Sequence, residues 1–234
     1  MVSGRTQTSV DKAVAALTET HDASGLAGFP CNASELQHVE ALWDAAAVRF
    51  GRIDIWINNA GLGQPSLNGW EVPPEVVANV VSTNVLGTMY GTRVAIQKMT
   101  AQGSGFIYNL EGFGSRGDTR KGSAIYSTTK AAITYYSKAI RKEAAELPVK
   151  IGTIRPGMVI TDMVMDAFKD DPSRIESVRK IFSIVASRVE EVVPFVAEKI
   201  LENEKDGAII DFMPRRKLLW RFLSAPFSKR DVLP

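Results

Sequence analysis

Short apolar runs of strand length alternate along this chain with longer stretches whose apolar residues recur at helical spacing. The clearest predicted strands are Ile53–Asn58, Phe106–Leu110 and Lys150–Ile154. Helical patterns at about 74–99 and about 126–146 separate them. Because parallel strands need a crossover connection, this alternation is typical of βαβ units that build a parallel sheet. The sequence therefore predicts an α/β protein.

Composition and charge exclude several classes of protein. The chain has 234 residues, of which 45% are hydrophobic and 23% charged, so it is neither disordered nor collagen-like. A net charge of +2 gives no indication of a nucleic-acid partner. The single cysteine, Cys31, cannot form an internal disulfide, and no apolar run is long enough for a transmembrane helix. We expect a cytoplasmic protein with one domain over residues 1–213 and a tail over 214–234.

Three short motifs follow one another along the predicted elements. The segment Asn58–Gly61 comes directly after a predicted strand, and the segment Pro156–Thr161 follows a later one. Between them, Tyr126 and Lys130 open a predicted helix in a Tyr-x-x-x-Lys pattern. Each motif alone is a weak signal. In this order and spacing, over nearly the whole chain, they resemble the short-chain dehydrogenase/reductase family.

The Tyr126–Lys130 pair also has a direct chemical interpretation. Positions i and i+4 share one side of a helix, so the two side chains are expected to lie together. A free tyrosine has a pKa of about 10 and is a poor acid or base at neutral pH. An ammonium at ~4 Å, in an effective dielectric of ~20, would stabilise the phenolate by about 4 kcal/mol, or about 3 pKa units. The sequence thus predicts a Tyr126 pKa lowered toward neutrality; the alternative is an ordinary surface pair.

The family resemblance implies a Rossmann-type doubly wound sheet and assigns roles to several residues. Tyr126 is implied as the proton donor to a substrate carbonyl, and Lys130 as the group that lowers the pKa of Tyr126 and holds the nicotinamide ribose. Asn84 is implied to distort its helix and place a water beside Lys130, whereas the alternative is a buried asparagine satisfied by the backbone. The implied cofactor-binding residues are Asn59, Ala60, Gly61, Tyr126, Lys130, Pro156, Gly157 and Thr161.

Arg5 and Asn32 follow the first two predicted strands. In dinucleotide-binding folds an acidic residue near this place holds the ribose 2′-hydroxyl, whereas an arginine accommodates a 2′-phosphate. Arg5 therefore favours NADP(H) over NAD(H); the alternative is a solvated surface arginine. The resemblance places Asn32 against the adenine edge, where an amide can hydrogen-bond. No metal site is predicted.

The chain departs from the family pattern at its start. The family begins with a strand and a glycine-rich turn that seats the pyrophosphate on a helix N-terminus, and Met1 aligns with the second strand. The predicted sheet therefore lacks its first strand and helix, which would leave a central position empty between two exposed edges. We expect either that the true start lies upstream or that the sheet re-pairs across the gap. The chain as given is expected to bind dinucleotide poorly.

A second departure concerns the family's catalytic serine, which lies between the strand and the tyrosine. Its position is taken here by Phe113, or by Gly112 if the loop carries one insertion. Ser115 is the nearest hydroxyl and is our predicted catalytic residue. Ser123 and Glu111 are the other candidates, and a further alternative is that another donor holds the oxyanion.

The stretches 53–61 and 109–115 are similar to the chlorophyll b reductase branch of the family, whose members reduce a formyl group on a chlorin ring.

Basic and apolar residues mix along the tail at 214–230, where Leu218, Leu219, Phe222 and Leu223 can share one helix face. This pattern is typical of a peripheral membrane-surface contact; the alternatives are packing on a partner subunit or over the substrate pocket.

Residues 162–188 lie where the resemblance places a substrate lid. Its apolar residues predict a bulky hydrophobic substrate; they are Met163, Val164, Met165 and Phe168.

These observations lead to two hypotheses. The first is an NADP(H)-dependent oxidoreductase that interconverts a carbonyl and an alcohol by hydride transfer, with Tyr126 as proton donor or acceptor. The resemblance implies that it forms a homodimer or homotetramer through the helices around 74–99 and 124–146. The second is a non-catalytic scaffold or partner-binding protein that no longer binds dinucleotide.

Overall fold

Parallel strands joined by helices make up most of the chain. The computed structural model describes residues 1–166, 173–227 and 230–233. The helices and strands, in chain order, are β1 (Val2–Gly4), α1 (Gln7–Thr18), β2 (Gly28–Pro30), α2 (Leu36–Phe50), β3 (Ile55–Asn58), α3 (Pro74–Val81), α4 (Gly87–Gln102), β4 (Gly105–Leu110), α5 (Ala124–Glu143), β5 (Val149–Arg155), β6 (Met158–Val159), α6 (Asp162–Asp166), α7 (Ser173–Val185), β7 (Ala186–Ser187), α8 (Val189–Leu201), β8 (Ile209–Asp211) and α9 (Arg215–Ser224).

The strands form one four-stranded sheet and two pairs, all parallel. The larger sheet has the order β3-β4-β5-β8, with Asn58 opposite Asn109 and Arg155 opposite Asp211. β1 pairs with β2, and β6 pairs with β7. Helices cover both faces of the larger sheet, because α4 packs on one face and α8 on the other. The predicted Rossmann-type α/β class is confirmed.

An unfilled strand position lies between β1 and β3. Within the described ranges, no strand pairs with the facing edge of either one. A cleft of about 390 Å³ occupies this place and is lined by Met1 and Ser3 on one side and by 55–57 on the other. The predicted absence of a first strand and helix is therefore confirmed, and the alternative that the sheet re-pairs across the gap is wrong.

Helix α2 bridges the two parts of the fold on one face of the cleft. Its Val39 and Trp43 are buried in one cluster with Met99 of α4 and Ile107 of β4. The Trp43 ring lies 5.4 Å from that of Trp56 in β3, centroid to centroid. This apolar contact fixes β3 beside α2 even though the neighbouring strand position is open.

On the opposite face of the cleft, no helix among the described residues lines the opening. Ile55 points to that face, because it packs with the cluster that contains Tyr108 and Ile200 of α8. Residues two apart in a strand share a face, so Ile57 points the same way. Ile57 is 44% exposed, which shows that the covering by α8 ends before it.

A buried hydrogen-bond network joins the carboxyl ends of β3 and β4 to the helices behind them. Asn58 Nδ2 donates to Asn109 Oδ1 at 2.8 Å and to Thr92 Oγ1 at 3.1 Å. Asn109 Nδ2 in turn donates to Ser137 Oγ of α5 at 2.9 Å. Gly91 permits this approach, because a Cβ there would lie 1.9 Å from Asn58 Oδ1. The network thereby holds α4 and α5 against the strand ends.

The structure departs from the predicted elements at one important place. The helix predicted over 74–99 is interrupted by a π-helical turn over Ser82–Leu86. A single-turn π-helix inserts an extra residue into the helical ladder and is frequent at functional sites. Periodicity over the whole segment does not show such an insertion, because the flanking turns remain helical.

The described residues of the tail, 214–227 and 230–233, pack on the body rather than extending from it. Leu218 of α9 lies against Phe212 and Met213, and Val232 and Leu233 are buried with Phe182. Across the described ranges, no helix is long and apolar enough to cross a membrane. The division into a domain and a tail stays a prediction.

We predict that Gly91→Ala lowers the free energy of unfolding by about 2 kcal/mol, because its methyl group has no room beside Asn58 and must displace the buried network. Urea denaturation followed by circular dichroism measures this change. Gly25→Ala is the matched control, since nothing lies within 4 Å of a Cβ at that glycine. Equal stability of the two variants would contradict the prediction.

Candidate active site

Several of the residues singled out in the sequence meet around the loop that follows β3. Gly61 marks the meeting point: a Cβ there would lie 3.4 Å from Asn84 Oδ1 and 3.8 Å from Lys130 Nζ. The Tyr126 hydroxyl lies against Gly112, 2.7 Å from the position of a Cβ on that residue. Parallel strands end at the same edge of a sheet, so the loops after β3 and β4 bring these groups together.

Burial controls the electrostatics of the Tyr126–Lys130 pair. Lys130 is 4% exposed, and its Nζ donates to the carbonyl of Leu110 at 3.0 Å. Burial lowers the pKa of Lys130 to about 8, although the nearby Glu111 carboxylate acts in the opposite direction. Burial also raises the pKa of the Tyr126 hydroxyl above its ordinary value.

The predicted lowering of the Tyr126 pKa is therefore wrong for the free protein. The Lys130 ammonium lies 5.8 Å from the centroid of the Tyr126 ring and is engaged by the Leu110 carbonyl. Desolvation by burial is the cause of the raised Tyr126 pKa, and it disfavours the phenolate. Tyr126 is thus a neutral phenol at neutral pH, which is the form that donates a proton.

Asn84 occupies the centre of the π-helical turn and is fully buried. Its Oδ1 accepts from the Leu62 N–H at 2.7 Å, and its Nδ2 donates to the Leu62 carbonyl at 3.0 Å and to Thr129 Oγ1 at 2.9 Å. The predicted helix distortion is confirmed. The contacts match the alternative in which backbone groups satisfy the amide, and a water held beside Lys130 stays a prediction.

The hydroxyl of Ser115 is engaged within its own turn. Ser115 Oγ accepts from the Gly112 N–H at 3.0 Å and donates to the Lys130 carbonyl at 3.4 Å. Ser123 Oγ donates to the Arg120 carbonyl at 2.7 Å. Gly112, which faces the Tyr126 hydroxyl, has no side chain that could polarise a substrate. The catalytic role of Ser115 stays a prediction.

Glu111 forms a buried ion pair with Arg155. Its side chain is 1% exposed and bonds to Arg155 Nε, and a second bond from Arg155 Nη2 measures 3.3 Å. An ionised carboxylate only accepts hydrogen bonds, so Glu111 cannot replace the serine as a donor to a carbonyl oxygen. Its effect on the site is electrostatic, through Lys130.

Gln64 is a site residue that sequence reasoning missed. Its Oε1 accepts from the Tyr126 N–H at 2.8 Å. Its buried Nε2 has no hydrogen-bond partner within the described part of the chain. Through the Tyr126 N–H, Gln64 ties the loop after β3 to the first turn of α5, the helix that carries Tyr126 and Lys130. Only the folded loop reveals this, because nothing in the local sequence distinguishes Gln64 from other loop residues.

Arg5 and Asn32 lie at the carboxyl end of the β1–β2 pair, because they follow these two parallel strands. Arg5 is exposed and has no hydrogen bond or ion pair to the described residues. Asn32 Oδ1 accepts from Ser34 N at 3.3 Å and from Ser34 Oγ at 2.9 Å. Asn59 and Ala60, after β3, are also exposed. These residues are accessible to a ligand.

The segment after β5 folds over the same loop. Gly157 adopts the left-handed region with φ of 76°. Thr161 directly precedes α6 and accepts from the Val164 and Met165 N–H groups at 2.9 and 3.0 Å. Met163 Cγ lies 3.3 Å from the position of a Cβ on Gly63. Phe168, a predicted lid residue, lies outside the described residues.

Comparison with known proteins adds independent findings. A probable chlorophyll(ide) b reductase of Arabidopsis thaliana is 30% identical over 193 residues, which is 82% of this chain and 38% of the relative. The chain therefore spans well under half the length of that relative. A solved structure titled ElxO with NADP bound has a TM-score of 0.75 at 20% identity, covering 89% of this chain and 84% of the other.

A 3-ketoacyl-(acyl-carrier-protein) reductase from Brucella melitensis, complexed with NADH, also has a TM-score of 0.75, at 22% identity over 90% of this chain and 84% of the other. At such identities the two solved structures show a common fold. Residues 1–172 match the family model for short chain dehydrogenase. This match includes the Asn58–Gly61 segment, the Tyr126–Lys130 pair and the Pro156–Thr161 segment, and the chain belongs to the short-chain dehydrogenase family.

Proposed function

We propose that this chain is an NADP(H)-dependent oxidoreductase that interconverts a carbonyl and an alcohol. The observation that carries the proposal is that Lys130 links two contacts at the ends of β3 and β4: its Nζ lies with Asn84 beside Gly61, and its side chain lies with the Tyr126 hydroxyl beside Gly112. Membership of an oxidoreductase family supports it. The reductase names of similar proteins agree with chemistry on a carbonyl group.

The residues of this chain fit the nicotinamide half of a dinucleotide. Gly61 has no side chain at the place where Asn84 and Lys130 approach, so a ring can lie close to the backbone there. The exposed Asn59 and Ala60 border this place. When bound, the nicotinamide supplies or accepts the hydride. Lys130, Pro156, Gly157 and Thr161 are proposed to hold it.

In the reductive direction, the Tyr126 hydroxyl donates its proton to the substrate oxygen as that oxygen gains negative charge. The neighbouring Lys130 ammonium stabilises the phenolate that remains. Asn84 keeps the loop after β3 fixed through both backbone groups of Leu62. The Ser115 hydroxyl or another donor holds the substrate oxygen.

Arg5 supports the choice of NADP(H). It directly follows the carboxyl end of β1. Its side chain is exposed and has no acidic partner within the described residues. A guanidinium without a partner binds a 2′-phosphate by charge-assisted hydrogen bonds. Asn32, at the end of the paired strand, is proposed to contact the adenine.

We propose a bulky hydrophobic substrate because Met163, which has a flexible apolar side chain, lies over the site. Met163 is 43% exposed and lies against Gly63 in the loop after β3. Methionine adapts to irregular apolar ligands. The similarity to a chlorophyll(ide) b reductase agrees with a large, apolar carbonyl compound.

A homodimer or homotetramer is proposed through α3, α4 and α5. Tyr135 in the middle of α5 is 76% exposed, and Leu86, the last residue of the π-helical turn before α4, is 38% exposed. Large apolar side chains exposed on adjacent helices are typical of protein interfaces.

We also propose that the protein acts in the cytoplasm, since its one cysteine, Cys31, is free.

The second candidate is a scaffold that no longer binds dinucleotide. The open position between β1 and β3 favours it, because a glycine-rich turn for the pyrophosphate would follow a strand at that place. Titration with NADPH, followed by its fluorescence, separates the two candidates. A saturable change supports the oxidoreductase, and its absence supports the scaffold.

We predict that Tyr126→Phe lowers the rate of carbonyl reduction with NADPH by at least about a hundred-fold, because the proton donor is removed. Tyr135→Phe, on the exposed side of the same helix, is the control and should keep the rate of the unmodified chain. NADPH binding should survive in both variants. A Tyr126→Phe variant with undiminished turnover would overturn the proposed mechanism.

The rate of reduction is expected to fall as pH rises through about 8, because Lys130 loses the charge that stabilises the phenolate. Burial sets the direction of this pH dependence, because it lowers the pKa of Lys130. The lysine is charged below that pKa and neutral above it. The measurement is kcat against pH. In Lys130→Arg the guanidinium does not titrate in this range, so the same fall in that variant would assign it to another group.

Arg5→Ala is predicted to weaken NADPH binding roughly ten-fold and to leave NADH binding unchanged, because one charge-assisted contact to the 2′-phosphate is lost. Fluorescence titrations of both cofactors give the two dissociation constants. Lys12→Ala, which removes an exposed cation from α1, is the control. An equal loss for NADPH and NADH would show that Arg5 does not read the phosphate.

A further inference from the structure

Helix α9 carries a large exposed apolar surface. Its outward side chains are 44–68% exposed, and they are Leu219, Trp220, Phe222 and Leu223. At 100° per residue, these four positions span an arc of about 160° on the helix. Contiguous exposed apolar surface of this kind marks an interaction site. We call this surface the α9 face.

Two arginines extend the α9 face at its N-terminal end. Arg215 and Arg216 fall within the same arc of the helix. Both are exposed, and neither makes a hydrogen bond or ion pair to the described residues. The sequence has no acidic residue between Asp211 and Asp231, so no nearby carboxylate on this stretch neutralises them.

The charge pattern of α9 is unfavourable for the helix by itself. Its first turn contains basic residues and no acidic one. Cations near a helix N-terminus oppose the helix dipole. Within the described residues no intramolecular partner offsets this cost for Arg215 and Arg216.

The opposite side of α9 fixes the orientation of the α9 face. Arg221 Nη1 donates to the carbonyl of Ala186 at 3.0 Å and to Ser187 Oγ at 3.1 Å. Lys217 Nζ lies 3.6 Å from the centroid of the Phe212 ring, and Leu218 packs against the same cluster. The apolar residues are therefore held outward before any partner binds.

We propose that the α9 face docks on a membrane surface that contains anionic lipids. Leu219, Trp220, Phe222 and Leu223 enter the boundary between headgroups and acyl chains, and Arg215 and Arg216 bind lipid phosphates. An in-plane amphipathic helix with a tryptophan and adjacent arginines has the chemistry for this contact. Docking here does not depend on catalysis.

Charge favours a lipid surface over a second copy of the chain. In a two-fold contact the same patch faces itself, and the stretch between Asp211 and Asp231 offers no acid to pair with Arg215 and Arg216. An anionic lipid surface instead supplies the complementary charge to both arginines.

The test is co-sedimentation of the full chain with vesicles of phosphatidylcholine alone or mixed with phosphatidylglycerol. The chain is expected to pellet with the mixed vesicles and to remain in the supernatant with the neutral ones. Arg215→Gln with Arg216→Gln should weaken binding to the mixed vesicles roughly thirty-fold. Trp220→Ser with Leu223→Ser should abolish it.

Matched controls use exposed residues away from α9. Lys12→Gln removes an exposed cation and Val48→Ser an exposed apolar side chain that is 90% accessible, and neither should change vesicle binding. Thermal unfolding confirms that each variant folds.

Three results would overturn the proposal. The first is failure of the unmodified chain to bind mixed vesicles, and the second is binding that all the variants retain. The third is an α9 variant that dissociates an oligomer in sedimentation velocity while vesicle binding is absent, which would assign the α9 face to a subunit interface.

Discussion

The hydrogen bonds of the Asn84 amide decide where the candidate catalytic groups stand. One side chain holds both backbone groups of Leu62 and the hydroxyl of Thr129, so the loop after β3, the π-helical turn and α5 are tied at one point. The amide is completely buried, and its loss would leave several polar groups without partners. Gly61 and Lys130 meet at this point because the amide positions both of their elements.

Burial shapes the chemistry of the site more than any single charge. It lowers the pKa of Lys130 and raises that of Tyr126, so a neutral phenol lies near a lysine whose proton is held weakly. The Glu111 carboxylate, itself neutralised by Arg155, restores part of the charge on Lys130. An account from pair distances alone omits this desolvation, and for that reason the expected direction of the Tyr126 shift was wrong.

Periodicity predicted the parallel strands and the main helices, because it reflects local structure. The family resemblance implied the missing strand and the grouping of Asn84, Tyr126 and Lys130. The sequence did not reveal Gln64 as a partner of Tyr126, since that contact joins residues 62 positions apart. The contact of Gly112 with the tyrosine hydroxyl, and the engagement of Ser115 by its own turn, depend on loop geometry in the same way. The cofactor roles of Arg5 and Asn32 stay predictions.

The open strand position beside β3 divides the molecule into two parts that differ in local stability. β1 is held by its pairing with β2 and by contacts from α1, and its other edge has no hydrogen-bonded neighbour within the described ranges. Segments with few buried contacts open at lower free energy than the core. The β1–α1–β2 unit, which carries Arg5, is therefore expected to exchange its amide protons faster than the four-stranded sheet, and a ligand that bridges both would slow that exchange.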